Sequence, residues 1–228
     1  MSTKSSIAQT EKAYERRVVA FGDILGWADK CRDEGELRRL LEAVTGIQLH
    51  AKGLSEAKRK GVATREYRDI LFTFFSDSFA VSGPIEHCDG LFRILSWRTT
   101  NLLQEGFLVR GGVTVGKIYH SPEIIFGPAL VEAVEIEKTA CFPRFLCSDR
   151  LIEQLDHTSY KNEVVFKDCY QDWVVNTWCG GMALLIDIAR NVEREISTID
   201  NAKHGRKWLY VNEMLHKMHE LKNAIDDP

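Results

Sequence analysis

The chain has 228 residues, 44% hydrophobic and 28% charged, which suits one large domain or two small ones with a real core. Its net charge is −3, with Lys and Arg spread along the chain, so no general nucleic-acid-binding surface is expected. No apolar run approaches the roughly 18 residues of a membrane span, and the polar start MSTKSSIAQTEKAYERR lacks a signal-peptide core, so a cytoplasmic protein without membrane partners is expected. The six cysteines (Cys31, Cys88, Cys141, Cys147, Cys169 and Cys179) form no C-x-x-C pair, which removes the local signature of a zinc site and leaves free thiols acting as small hydrophobes.

In chain order, residues 1–16 read as a lead-in. The apolar run VVAFGD then predicts a central strand over Val18–Asp23. A helix follows over GELRRLLEAVTGIQLHAK, with Leu37, Leu40, Leu41, Val44, Ile47 and Leu49 near one side. The basic KGLSEAKRKG reads as a helix end and loop. Residues 69–82 predict a hairpin with Asp77 at its tip, because SDS supplies turn formers between β-branched and aromatic residues.

Pro84 opens a helix over about 85–105, with Leu91, Leu95, Leu102 and Leu103 as core positions and Gly106 as its stop. FLVRGGVTVGKIYH predicts a strand, and Pro128 sits in the first turn of the next helix, where proline is favoured. A short strand near Arg144–Cys147, a short helix, and strands near 163–167 and 172–178 follow. Two helices close the chain; the second carries a packing stripe of Trp208, Val211, Leu215, Met218, Leu221 and Ile225. The order β-α-β-β-α-β predicts an α+β fold, a ferredoxin-like palm whose mixed or antiparallel sheet is covered by helices.

In such a palm the first strand lies beside the hairpin, so Asp23 and Asp77, 54 positions apart, converge. An Asp at a strand end is commonly a solvated turn residue. Two of them, each closing a strongly apolar strand, equally fit one shared site. Adjacent carboxylates repel unless a cation lies between them, and an all-oxygen donor set favours Mg²⁺ or Mn²⁺ completed by substrate phosphates. A nucleoside triphosphate is the natural partner. Two other motifs do not hold: GGVTVGKI mimics a phosphate loop but has Ile118 where Ser or Thr must meet Mg²⁺, and HKMH lacks a third ligand.

Several blocks resemble the class III nucleotidyl cyclases. FGDILGW is similar to their F-x-D-I-x-G-F metal motif, FFSDSFAV to their second-aspartate hairpin, and LVRGGVTVGKI to R-x-G-x-x-x-G. FGPALVEAVEIEKTACFPRFLCS resembles the W-G-x-x-x-N-x-A-x-R helix and the strand after it. Within that family the chain looks most like the Pycsar pyrimidine cyclases, which make cyclic UMP or cyclic CMP in bacterial anti-phage defence.

The resemblance implies a catalytic domain over 17–178, with 179–228 as C-terminal helices packing on it or at a dimer interface. It implies two Mn²⁺ or Mg²⁺ ions held by Asp23, Asp77 and the backbone carbonyl of Ile24, and a phosphate-cradling turn at Leu25, Gly26 and Trp27. It also implies a homodimer with active sites between subunits. The chain departs from the pattern where Val131 replaces the Asn and Glu135 the transition-state Arg. Lys138, Arg144, Lys117 and Arg110 are the candidate substitutes, and Lys167 matches a later phosphate-binding Lys.

The purine-reading Lys and Asp positions hold Thr73 and Ile124, which with the donors Arg65, Arg68, Lys117 and Tyr119 favours UTP over CTP. Cytidylate cyclase, a palm-type polymerase or dinucleotide cyclase, and a silent nucleotide-binding module are the alternatives.

Overall fold

The computed structural model describes residues 14–61, 63–155, 164–177, 182–198 and 202–226. Strand β1 (Glu15–Leu25) lies at the centre of the sheet, between β3 (Ser78–Gly83) and β4 (Leu108–His120), antiparallel to both. β2 (Leu71–Phe75) pairs antiparallel with β3 at one edge. Helix α1 (Leu37–Arg59) connects β1 to β2, and α2 (Cys88–Gln104) connects β3 to β4. The resulting order β2-β3-β1-β4 is the split βαβ palm.

Beyond β4 the sheet continues through β6 (Phe145–Cys147), parallel to β4, and then β8 (Trp173–Val175) and β7 (Val165–Lys167). A short β5 (Ile125–Phe126) folds back on the end of β4. The remaining described helices are α3 (Pro128–Thr139), α4 (Asp149–Leu155), α5 (Met182–Thr198) and α6 (Ala202–Asp226), besides the single helical turns Trp27–Lys30 and Arg65–Arg68. Among the described residues no helix is long and apolar enough to cross a membrane. The five described cysteines are free thiols.

Alternation along β1 divides the core. Val18, Ala20 and Ile24 join Phe79, Val81, Val109 and Val113 beneath α1 and α2, where Leu91, Leu95 and Leu102 are buried. Val19 and Phe21 face the other way and pack with Ala129 and Ala133 of α3. Leu103 and Leu108 form a third cluster with Ile188, Val192, Trp208, Val211 and Leu215, which seats α5 and α6 on the end of the sheet.

The glycines of the R-x-G-x-x-x-G block have a packing explanation. A Cβ at Gly112 would lie 2.2 Å from the carbonyl oxygen of Ala133, and one at Gly116 3.1 Å from Ala129 Cβ. Only glycines let α3 sit this low on β4.

Three expectations are corrected. Glu15 and Arg16 belong to β1, paired with Ile118 and Lys117, rather than to a lead-in; residues 1–13 lie outside the described part. α1 runs on to Arg59, since nothing after Lys52 breaks it until the chain turns at Gly61 with φ 69°. Leu40 is buried as expected, but Leu37 and Leu41 are 59% and 58% exposed, and Ala43 is buried in their place. The stripe positions Met218, Leu221 and Ile225 lie outside the described side chains.

Candidate active site at the end of the central strand

Asp23 occupies the last turn-facing position of β1 on the α3 side of the sheet, paired with Ser78 of β3 and Arg110 of β4. The β2–β3 connection is the two-residue turn Ser76–Asp77, with Ser76 at φ 46°, a left-handed conformation unusual for a side-chain-bearing residue. Ile24 N donates to the Asp77 carbonyl at 2.8 Å, which ties the hairpin tip to the end of β1 and sets the two aspartates side by side. Ser78 Oγ donates to Asp77 Oδ1 at 3.3 Å. The side chain of Ile24 is buried in the core, so only its backbone groups face this end.

Past Leu25 the chain turns through Gly26 at φ 76°, a value that suits glycine, into the single helical turn Trp27–Lys30. The Trp27 ring packs 5.7 Å from that of Phe107 and anchors the turn.

The electrostatics show a carboxylate short of partners. Burial pushes the Asp23 carboxyl up to about 6 from 3.8, and the neighbouring Glu137 and Asp77 charges push in the same direction. Arg110 and Lys207 offset them in part. Arg110 Nη2 lies 3.8 Å from Asp23 Oδ2, while its Nε donates to Glu137, which is only 4% exposed on α3. Arg110 is therefore held by Glu137 and reaches Asp23 only at long range.

This donor set fits Mg²⁺ or Mn²⁺: two adjacent carboxylates, oxygen only, with an excess of negative charge that a divalent cation would relieve. Among the described residues no group of three or more His, Cys, Asp or Glu side chains forms a complete metal cage. Such an ion would thus need oxygens from substrate or water to complete its shell, as Mg²⁺ commonly does.

The other residues singled out in the sequence are distributed differently. Lys138 follows Glu137 on α3 and is exposed, as are Val131 and Glu135. Arg144 turns its guanidinium to Asp168 and, at 2.8 Å, Asp172. Lys167 lies on the outermost strand β7, with Nζ 5.5 Å from the Trp173 ring. That is four strands from β1, or about 19 Å at normal strand spacing. Lys117 is seven residues along β4 from Arg110, or about 23 Å. Lys167 is thus remote from Asp23 along the sheet, and the Arg144 guanidinium is engaged by Asp168 and Asp172.

Thr73 shares the sheet face of Asp23, through Ala80 and Phe21 in the register, and its Oγ1 is 2.9 Å from His120 Nε2. His120 is the β-partner of Ile125, which brings the exposed Ile124 into the same neighbourhood.

Sequence reasoning missed Glu137, His120 and Lys207. Glu137 was within reach: Ala129, Ala133 and Glu137 recur every four residues, and the first two pack on β4, so the next turn places Glu137 beside Arg110.

No protein-family model matches the chain, and no curated protein matches it. Among solved structures, the adenylyl cyclase CyaB from P. aeruginosa is 13% identical with a TM-score of 0.48, over 71% of this chain and 94% of that one. The monomeric guanylyl cyclase domain of the RhoGC fusion protein from the aquatic fungus Blastocladiella emersonii is 15% identical with a TM-score of 0.49, over 72% and 96%. The guanylate cyclase domain of RhGC from Catenaria anguillulae, in complex with GTP, is 14% identical with a TM-score of 0.46, over 72% and 98%.

Proposed function

We propose that this protein is a nucleotidyl cyclase that converts UTP to 3′,5′-cyclic UMP and pyrophosphate, a second messenger in anti-phage defence. The observation that carries the reading is the nearness of Asp23 to Asp77 at the end of β1, where Asp23 pairs with Ser78, the residue after Asp77, and Ile24 N donates to the Asp77 carbonyl. The motif blocks that resemble class III cyclases support it, because they carry these same two residues. The defence role and the pyrimidine preference rest on the Pycsar resemblance.

In the reaction the 3′-hydroxyl oxygen attacks the α-phosphorus in line. The bond from that phosphorus to the oxygen bridging the β-phosphate breaks, pyrophosphate leaves with the electron pair, and the hydroxyl proton passes to solvent. Asp23, Asp77 and the Ile24 carbonyl would hold two divalent ions, which supply charge neutralisation and a lowered hydroxyl pKa when bound. The chain's own contribution is positioning: the Leu25–Trp27 turn orients the triphosphate, and Glu137 keeps Arg110 from filling the cation's place. Lys138 on the exposed side of α3 is proposed to serve a partner subunit's substrate, and Lys167 to contribute positive charge only across such an interface.

A homodimer is supported by exposed apolar side chains around the start of α3, namely Ile124, Phe126 and Val131. Where purine cyclases present a long Lys and an Asp, this chain has the short Thr73 hydroxyl, already 2.9 Å from His120 Nε2, and the aliphatic Ile124, and polar groups of an adenine left unpaired there would discriminate strongly. The exposed Glu135, where a cation is expected, favours the second reading of a silent nucleotide-binding module.

Incubation with all four ribonucleoside triphosphates in competition, with Mn²⁺, separates these. Cyclic UMP supports the proposal, cyclic CMP corrects the base, and cyclic AMP or cyclic GMP as the main product removes the pyrimidine claim. A linked dinucleotide indicates a palm-type polymerase or dinucleotide cyclase, and no product indicates the silent module.

A further inference from the structure

We propose that His120 is a positioning residue that fixes the Thr73 hydroxyl as a hydrogen-bond donor, so that the site selects a pyrimidine with a carbonyl oxygen at O4 over one with an amino group there. The inference rests on the reading above that Thr73 meets the base, and it assigns the device that tells uracil from cytosine.

Arg17, Ser82, His120 and Thr73 form a relay of hydrogen bonds. Arg17 Nε lies 2.9 Å from Ser82 Oγ, Ser82 Oγ 2.8 Å from His120 Nδ1, and His120 Nε2 2.9 Å from Thr73 Oγ1. The relay belongs to the sheet face that carries Asp23: Arg17 and Asp23 are an even number of residues apart on β1, Ser82 pairs with Val19, and Thr73 reaches Phe21 through Ala80. His120 comes to this face from the end of β4. There β5 pairs back on the strand, with His120 opposite Ile125 and the Tyr119 ring stacked 5.1 Å from that of Phe126.

The direction of the relay is set at its Arg17 end. A guanidinium donates only, so Nε donates and Ser82 Oγ accepts. Arg17 is buried and is also held by Glu15 at 3.0 Å and by the carbonyls of Asp69 and Ser82, which fixes its orientation. Ser82 is fully buried, and its hydroxyl hydrogen needs an acceptor; among the described residues the one within reach is His120 Nδ1. A neutral imidazole that accepts at Nδ1 carries its proton on Nε2, which donates to Thr73 Oγ1. Thr73 is half-buried, and among the described residues its hydroxyl has no second partner. Its hydrogen is therefore turned away from His120 and offered to an incoming acceptor. Uracil O4 is such an acceptor. The amino group of cytosine is a donor and would meet a donor, and turning Thr73 round would set its hydrogen against that of Nε2.

The test compares kcat/KM for UTP with that for CTP in the presence of Mn²⁺, a ratio that a partly unfolded sample leaves unchanged. Wild type is expected to favour UTP about tenfold or more. Thr73→Val keeps the shape and removes the hydroxyl, and its ratio should come within about threefold of one. Ser82→Ala releases Nδ1 without touching the base and should lower the ratio about threefold or more. Thr73→Ser restores the hydroxyl and should stay within about twofold of wild type. Nitrogen NMR of histidine-labelled protein reads the tautomer without substrate: the His120 proton is expected on Nε2 in wild type and on both nitrogens in Ser82→Ala.

A wild-type proton on Nδ1, a wild-type preference for CTP, a ratio unmoved in Thr73→Val or Ser82→Ala, or a ratio lost in Thr73→Ser overturns the assignment. If wild type forms no cyclic nucleotide, the ratio is read from the dissociation constants of UTP and CTP with Mn²⁺. A preference for UTP that falls in Ser82→Ala then leaves the relay standing while the cyclase reading falls, and equal binding or none overturns both. If cyclic UMP forms and Thr73→Val keeps the wild-type ratio, the relay falls and the cyclase reading stands.

Discussion

Two arginine–carboxylate clusters lie on the same sheet, and they are built to opposite ends. Around Arg144, the fully buried Asp168 accepts from Arg144 Nη1, from the amides of Tyr170 and Asp172, and from the Tyr210 hydroxyl at 3.0 Å. Burial and the Asp168 charge hold the Tyr210 phenol far above its usual range, and the carboxylates keep Arg144 charged. At the end of β1, Asp23 is partly exposed and meets Arg110 only at 3.8 Å. Its neighbours Glu137 and Asp77 repel it. The first cluster saturates the Asp168 carboxylate with donors from the protein. The second leaves lone pairs open and negative charge in excess, which is the arrangement a divalent cation completes.

The largest test of this contrast removes one carboxylate from the open cluster. Asp23→Asn or Asp77→Asn is expected to lower turnover with Mn²⁺ by about 10³-fold, on the scale of losing a principal electrostatic stabiliser, with circular dichroism unchanged. Near-normal turnover in either variant would place the metal site elsewhere.

The matching change in the closed cluster acts on stability instead. Arg144→Ala leaves Asp168 buried without its cation and is expected to cost about 3–5 kcal/mol in urea unfolding. Turnover of the protein that remains folded should change little.

A smaller effect sharpens the comparison through pH. Because the Asp23 carboxyl is raised to about 6 in the folded protein against its ordinary 3.8, the folded state binds the extra proton between those values. Its contribution to stability is therefore lost as pH rises from about 4 to 6. In metal-free buffer at pH 8, Asp23→Asn is expected to be more stable than wild type by about 1–2 kcal/mol, allowing for solvent screening. Added Mn²⁺ should stabilise wild type and reverse the order. The smallest effect concerns the hairpin tip: Ser76→Gly relieves the left-handed backbone and should stabilise the fold by about 1 kcal/mol, read as a shift in melting temperature.

The palm was legible because its strands alternate or run apolar and its turns carry Gly, Pro or SDS, so the β2–β3 hairpin and α2 fell near their predicted limits, while β1 runs from Glu15 to Leu25, beyond the predicted Val18–Asp23 at both ends. α1 was read correctly at Leu40 but misjudged at Leu37 and Leu41, which look like core on a helical wheel, whereas the helix is rotated to bury Ala43 beside Leu40. Asp23 and Asp77 could be paired because the palm's topology fixes which strand ends are neighbours. The tasks of the cations could not be read this way. Whether Arg144 serves Asp168 or a phosphate depends on a contact between β6 and the loop before β8, and Lys207 comes from a helix more than 180 positions after Asp23. No local pattern encodes contacts of that range.

The central claim, that Asp23 and Asp77 form one metal–nucleotide site that cyclises a triphosphate, is tested most directly by product analysis. Labelled UTP is incubated with Mn²⁺ and either wild type or Asp77→Asn, and the products are separated by chromatography. Cyclic UMP with equimolar pyrophosphate from wild type, and neither from Asp77→Asn, is the predicted result. No cyclic nucleotide from wild type with any of the four triphosphates, or equal product from Asp77→Asn, would contradict it.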